Sequence, residues 1–402
     1  MGVYERLGVR PIINARGTNT RLGGAQMEQA AIEAMAEAAQ EAVPLEELQA
    51  AASNIIAKIT GAEAGYVTSG ASAALTLGMA ACLTGLDVAR MNRLPHTAGM
   101  PNEVLMARHQ VSGYDHAISA AGAKIVEVGM PNDTTPPMEV HITEAWEFEA
   151  AITENTVAIA YAARPGGHPP LEEVIDIGKR YHIPVLLDAA AQVPPVENLR
   201  KFIAMGADLI AFSGGKGIRG PQASGILCGR RDLIAATALQ NLDMAAIAFD
   251  TWNPPPSFIP KEKLRGVPQH GIGRSMKVTK EAIVGLLAAL QLFTEEKVLR
   301  DLKRSRSFLE QIAQPLKGVS GVEMKWTEYI SGGEPMLVVK LDEVKLGRSA
   351  AEVSQRLQDG APPIYVRESR LQQSMLIIYP GNLNEERAKI VEQRLYSEIT
   401  KK

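Results

Sequence analysis

The chain is poor in cysteine, in excess charge of either sign and in long apolar runs. Two cysteines among 402 residues, Cys82 and Cys228, are too few for a disulfide framework. Both sit among small apolar residues, as reduced core thiols do, and neither stands in a metal-binding spacing. No apolar run approaches the ~18–20 residues that a membrane-spanning helix needs. The opening MGVYERLGVR is charged and has no apolar h-region, so no signal peptide is read there. Met1-Gly2 begins like a myristoylation signal, but Arg6 stands where Ser or Thr is wanted. Lys plus Arg number 42 against 45 Asp plus Glu, a net charge of −3, so no global field attracts nucleic acid or an anionic membrane. A cytoplasmic protein is expected. What is present is ordinary: 46% hydrophobic and 22% charged residues exclude a disordered or fibrous chain. The length suits two domains, one of them large.

Short β-branched runs alternate with Ala-rich helical stretches through the middle of the chain. The runs lie at 65–68, 103–108, 124–130, 156–163, 183–190, 208–214 and 224–229. Continuous apolar runs alternating with helices predict an α/β fold, a mostly parallel seven-stranded sheet covered by helices. Asn253-Pro254-Pro255-Pro256 breaks the pattern. The spacing then predicts one long amphipathic helix over 276–296, joining a small α+β domain at 297–402. Its strands are expected near 319–326, 335–341, 363–366 and 374–378, and its helices near 301–313, 348–358 and 384–399. Residues 1–44 read as an N-terminal arm and helix, and 45–275 as the large domain.

Several motifs fail on context. Gly215-Lys216-Gly217-Ile218-Arg219-Gly220 matches G-x-G-x-x-G, yet Pro221 and another strand follow where a dinucleotide fingerprint opens a helix. Gly217 stands where a Walker A loop needs Ser or Thr. No G-x-S-x-G elbow exists to anchor a hydrolase triad. His109 and His116 have no third ligand nearby, so no metal is expected.

Three pieces stand at the C-terminal ends of expected strands, where open α/β sheets bind ligands. Ser213-Gly214-Gly215-Lys216 sets a lysine among glycines after a buried strand. A poorly solvated lysine has a lowered pKa and can form a Schiff base, although a surface loop lysine is the plainer alternative. Asp188 closes VLLD, where a carboxylate needs a partner. A protonated pyridine nitrogen is one such partner, and capping the next segment is the other reading. Thr68-Ser69-Gly70-Ala71-Ser72 is a strand-to-helix turn suited to a phosphate, or to a plain helix cap.

The order of phosphate turn, Asp188 and then Lys216 is that of fold type I pyridoxal-phosphate (PLP) enzymes. SGGKGIRGPQASGILCGRRDLI, DAAAQVPP and INARGTNTRLGG closely resemble the selenocysteine synthase-like family, over about residues 3–395. The resemblance implies Lys216 as the Schiff-base lysine and α-proton acid/base, and Asp188 as the pyridine-nitrogen partner. Ser69, Gly70, Ala71 and Ser72, helped by Ser213, would hold the phosphate of pyridoxal 5'-phosphate. Gln192 would reach the cofactor's phenolic oxygen or the substrate. His109, Gln110, Tyr114 and His116 compete to cover the cofactor face, with His109 favoured. Gly273 and Arg274 would touch the phosphate of a partner subunit in a homodimer, or a multiple of it, with shared sites. Arg367, with Arg370 as runner-up, would hold the carboxylate of an amino-acid substrate.

Arg16 falls where the family leads one to expect a small residue, and His168 adds a polar group beside the site. Either would change which substrate fits. Selenocysteine synthase proper carries an N-terminal tRNA-binding domain, for which the IINARGT stretch starting at Ile12 is expected to leave no room. With the acidic net charge, an aminoacyl-tRNA substrate is not expected. The implied reaction is α-proton abstraction followed by β-elimination with ammonia release, a lyase. A racemase or epimerase, with His109, His116 or Tyr114 as second acid, is the alternative.

Overall fold

The structure, a computed structural model, describes residues 2–130, 142–328 and 334–401. It separates into two compact units, Met27–Leu292 and a smaller one built from Met1–Gln26 with Phe293–Lys402. A first strand, β1 (Ile13–Ala15), belongs to the smaller unit.

The larger unit holds β2 (Ala64–Thr68), β3 (Glu103–Ala107), β4 (Lys124–Val128), β5 (Thr156–Ala162), β6 (Val185–Asp188), β7 (Leu209–Ser213) and β8 (Gly225–Gly229). They form one sheet in the order β2-β8-β7-β6-β5-β3-β4, in which only β8 runs against the rest. The seven runs expected from the sequence are these seven strands, within two residues at their ends. Thr68, Ala107, Ala162, Asp188 and Ser213 therefore end their strands at one edge of the sheet. The helix Ala71–Thr84 is apolar nearly all round and almost wholly buried. Its small residues let it lie close to the sheet: a Cβ at Gly78 would stand 3.1 Å from Leu186 Cδ1. Both cysteines are free, Cys228 fully buried, and burial pushes each thiol up to about 12.

In the smaller unit, β9 (Val322–Glu328), β10 (Pro335–Leu341) and β12 (Met375–Ile378) make an antiparallel sheet centred on β10. β11 (Ile364–Val366) pairs in parallel with β1. The helices Glu295–Ala313, Ala350–Asp359 and Glu385–Thr400 complete a separate core around Leu309, Leu337, Val353 and Leu395.

The boundaries differ from the sequence reading in two places. The arm at 1–44 divides, because β1 pairs with β11 while the helix Gln29–Ala38 packs on the helix Lys280–Leu292; Met35 lies against Gly285. The single helix over 276–296 is in fact two. A 3-10 turn occupies Ile272–Met276, the first helix ends at Leu292, and Thr294 Oγ1 accepts from Lys297 N at 3.3 Å to cap the next. The cap is followed by Glu295 and Glu296, an acidic first turn that the reading of one helix ran through. Among the described residues, no helix is long and apolar enough to cross a membrane.

Candidate active site

Five loops leave the same edge of the larger unit's sheet. The loop after β7 carries Lys216. Glycines on both sides let neighbouring backbone approach: a Cβ at Gly215 would strike Gln222, and one at Gly217 would strike Val193 and Pro194. The lysine is half-buried, and burial holds its pKa below the usual value while Asp188 pulls it back up. Asp188 closes β6. Its Oδ1 accepts from Ala190 N at 2.9 Å, and desolvation pushes its carboxyl up, against the Ala190 bond and the charges of Lys216 and Arg164. Of the two readings left open by the sequence, the contact with local backbone is present, at Ala190 N.

The turn after β2 is Ser69-Gly70-Ala71-Ser72, opening the helix Ala71–Thr84. Gly70 has φ +129°, a backbone that favours glycine, and a Cβ there would point into open space. The start of β8 presses against this turn: a Cβ at Gly225 would lie 2.7 Å from Ala71 N. Ser69 Oγ donates to Met276 O at 3.0 Å, Ser72 is exposed, and Ser213 is buried at the end of β7. An open glycine cradle at a helix N-terminus, with a desolvated lysine after the strand two places along the sheet and a desolvated carboxylate ending the third, fits a group carrying a phosphate, an aldehyde and a ring nitrogen.

The loop after β3 sorts its four candidates. His109 is half-buried, while Tyr114 and His116 are exposed. Gln110 is buried and clamps the loop after β5: Nε2 donates to His168 O at 3.1 Å, and Oε1 accepts from Ala162 N at 2.9 Å. It is therefore a brace. Gln192 behaves similarly, its Nε2 donating to Ala163 O at 2.8 Å.

Two residues of this edge were not singled out from the sequence. Asp115 is buried, accepts from Ser112 N, and has its carboxyl pushed up by desolvation. Arg164, after β5, favours the charged forms of both Asp115 and Asp188. A cavity lies among Leu75, Met106, Asp115, Tyr161, Leu186 and Asp188. The strand-end rule that found Asp188 reaches Arg164 equally; Asp115 gave no signal beyond standing between Tyr114 and His116.

Gly273 is buried and Arg274 Nη2 pairs with Asp243 Oδ2 at 3.3 Å, all in the larger unit. The remaining candidates lie in the smaller unit. Arg16 Nη1 stands 3.5 Å from Glu368 Oε2, whose other oxygen accepts from Ser354 Oγ at 2.7 Å and Gln358 Nε2 at 3.0 Å. Arg367 is half-buried, its backbone bridging to Ile377, and Arg370 is exposed. Among the described residues, no group of His, Cys, Asp and Glu is placed to hold a metal.

The class-V aminotransferase family profile matches residues 118–252. A 5'-C-glycyluridine monooxygenase-decarboxylase from a Streptomyces species is 31% identical, covering 98% of this chain and 90% of its own. The chain belongs to the selenocysteine synthase-like family of fold type I pyridoxal-phosphate-dependent enzymes. A second member, D-glucosaminate-6-phosphate ammonia lyase of Salmonella typhimurium, is 29% identical over 98% of this chain and 96% of its own. A solved structure of D-glucosaminate-6-phosphate ammonia-lyase matches 99% of this chain with a TM-score of 0.79 at 28% identity. An L-seryl-tRNA(Sec) selenium transferase from Mannheimia succiniciproducens is 28% identical over 57% of this chain and 51% of its own. The protein is accordingly a PLP-dependent enzyme, as the strand-end residues led us to expect.

Proposed function

We propose that this enzyme removes the Cα proton of an amino acid and expels a group from Cβ, releasing ammonia. The observation that carries this reading is the half-buried, destabilised ammonium of Lys216 beside the desolvated carboxylate of Asp188, in a chain whose full length aligns with an ammonia lyase. Bound pyridoxal phosphate supplies an electron sink for the charge left at Cα. Lys216 would anchor the cofactor's aldehyde carbon and carry the Cα proton, for which a lowered pKa suits it. Asp188 would keep the ring nitrogen protonated. Backbone amides of Gly70, Ala71 and Ser72, with the hydroxyls of Ser72 and Ser213, would bind phosphate, joined by Arg274 from a second subunit of a homodimer, while Gly273, buried in its own chain against Leu77, Gln240 and Asn241, only shapes that turn. His109 would cover the cofactor, and Arg367, Arg16 or Arg370 would hold the substrate carboxylate. Arg16 and His168 are the residues to examine if the substrate departs from an amino sugar acid. We place the enzyme in the cytoplasm.

The Streptomyces relative supports a second reading, in which the substrate loses its carboxyl group with consumption of dioxygen. Racemisation has no counterpart among the relatives named above. Proton NMR of L- and D-amino acids and amino sugar acids with the enzyme in heavy water separates all three. Keto-acid and ammonia formation without oxygen is the expected result. Oxygen-dependent CO₂ release would establish the second reading, and deuterium exchange with inversion at Cα but no ammonia would overturn elimination.

A further inference from the structure

Beneath the phosphate turn lies a buried polar chain that none of the roles above uses. The helix Arg231–Asn241 ends in Gln240 and Asn241, both buried. Asn241 Nδ2 donates to Gly273 O at 2.9 Å and to Met276 O at 3.2 Å. Carbonyl oxygens only accept, so this face must be the amide nitrogen, and Oδ1 is left to accept from Tyr66 Oη at 2.9 Å. Met276 O also takes the hydroxyl proton of Ser69 at 3.0 Å. Beside it, Gln240 Oε1 accepts from Ile272 N at 3.1 Å. The contact is too close for side chains: a Cβ at Gly273 would stand 2.8 Å from Gln240 O and 3.0 Å from Asn241 Cα.

Two consequences follow from proton counting. Asn241 has both amide protons and its oxygen committed, so it is a fully satisfied hub in a buried place, where a lost partner is costly. Ser69 has one hydroxyl proton, and it goes to Met276 O. Ser69 therefore holds the Ile272–Met276 turn, and the donors that the Ser69–Ser72 turn itself has left to face a phosphate are the amides of Gly70–Ser72 and the Ser72 hydroxyl.

We propose that Asn241 is a positioning residue: through Met276 O and Ser69 it fixes the Ile272–Met276 turn against the Ser69–Ser72 turn, and so sets the affinity for the cofactor's phosphate. The inference rests on the reading that the phosphate occupies the Ser69–Ser72 turn.

The test is binding of PLP, and of pyridoxal lacking the phosphate, to full-length apoprotein, alongside the melting temperature of each apo variant. Asn241→Asp keeps the acceptor for Tyr66 but sets a carboxylate oxygen against the carbonyls of Gly273 and Met276. Tyr66→Phe removes the phenol bond and leaves the turn's bonds intact. Asn241→Asp should weaken PLP at least about tenfold and pyridoxal less than about threefold. Tyr66→Phe should change neither ligand more than about threefold, even where it lowers the melting temperature as far. Asn241→Ser introduces no buried charge and is the second variant should the aspartate fail to fold; the same phosphate-selective loss is expected. Equal losses for both ligands, or losses that merely track melting temperature across the Asn241 and Tyr66 variants, would overturn the proposal. Ser72→Ala and Gly70→Val separate the underlying reading. If neither reduces the preference for PLP over pyridoxal, the phosphate lies elsewhere. If they do and the Asn241 variants do not, the positioning role alone is wrong.

Discussion

Asp188 and Lys216 each stabilise the other's charge, and burial opposes both. The carboxylate raises the lysine's proton affinity and the ammonium lowers the aspartate's, yet desolvation is the larger effect on each, leaving Asp188 above and Lys216 below its ordinary pKa. A ligand that brought an opposite charge to Asp188 and a bond to Lys216 would replace the solvation that both lack.

The lysine's part of that relationship has a direct test. Borohydride reduction of the holoenzyme should link the cofactor to Lys216, and Lys216→Ala should lose both the link and nearly all turnover. The lowered pKa adds a pH dependence. The neutral amine is the nucleophile, so the pH profile of cofactor capture by apoprotein should have its midpoint below the 10.5 of an ordinary lysine. Mass spectrometry of the reduced, digested protein gives the site. Label on any other lysine, or a midpoint at or above 10.5, would count against the assignment.

For Asp188, the isosteric Asp188→Asn keeps the Oδ1 acceptor for Ala190 N and removes the charge. The cofactor should still bind, while Cα–H exchange falls at least about 100-fold, roughly 2.7 kcal/mol of barrier. Exchange of a deuterated amino acid measures it, and a rate near wild type would mean that the ring nitrogen is not held from here.

How far the site was legible follows from these residues. Lys216, Asp188 and the Ser69–Ser72 turn could be read because one rule, polar residues at the ends of apolar strands, finds them without knowing the sheet order. Strands buried on both faces are the sequence's strongest local signal, so the large sheet was readable too. The helix break at Phe293–Thr294 left a signal that the apolar periodicity before it outweighed: Thr294 precedes Glu295 and Glu296, a cap followed by an acidic first turn. Gln110 was read as a candidate to cover the cofactor and Asn241 went unnoticed, since whether an amide braces a loop depends on carbonyls that only the fold delivers: His168 O for one, Gly273 O and Met276 O for the other.

Asp115 supplies a pH prediction. Its carboxyl is pushed above the usual 3.8 by burial. An acid whose folded pKa exceeds its unfolded one favours folding while protonated, and that contribution is lost as pH rises from 3.8 through the folded value. Asp115→Asn keeps an acceptor for Ser112 N without the charge. Its apo form should therefore gain melting temperature relative to wild type as pH is raised across that window. A difference that stays constant with pH would show that the Asp115 charge costs the fold nothing.

Arg274 decides whether the site is shared. Its partner in this chain, Asp243, is half exposed, as Arg274 is, and such surface pairs contribute only about 0–1 kcal/mol. Little therefore holds the guanidinium to its own chain, and a charge-assisted contact to a neighbour's phosphate, about 1.5–3 kcal/mol, would win. Arg274→Ala should leave the melting temperature of isolated apo chains nearly unchanged while weakening PLP binding and subunit association together. An arginine serving only Asp243 would affect neither. A mixed dimer settles the matter: inactive Lys216→Ala chains are combined with inactive Arg274→Ala chains. If Arg274 acts on the neighbouring subunit, one site of each mixed dimer carries both defects and the other carries none, so activity returns on mixing. If it acts within its own chain, every site keeps one defect and mixing restores nothing.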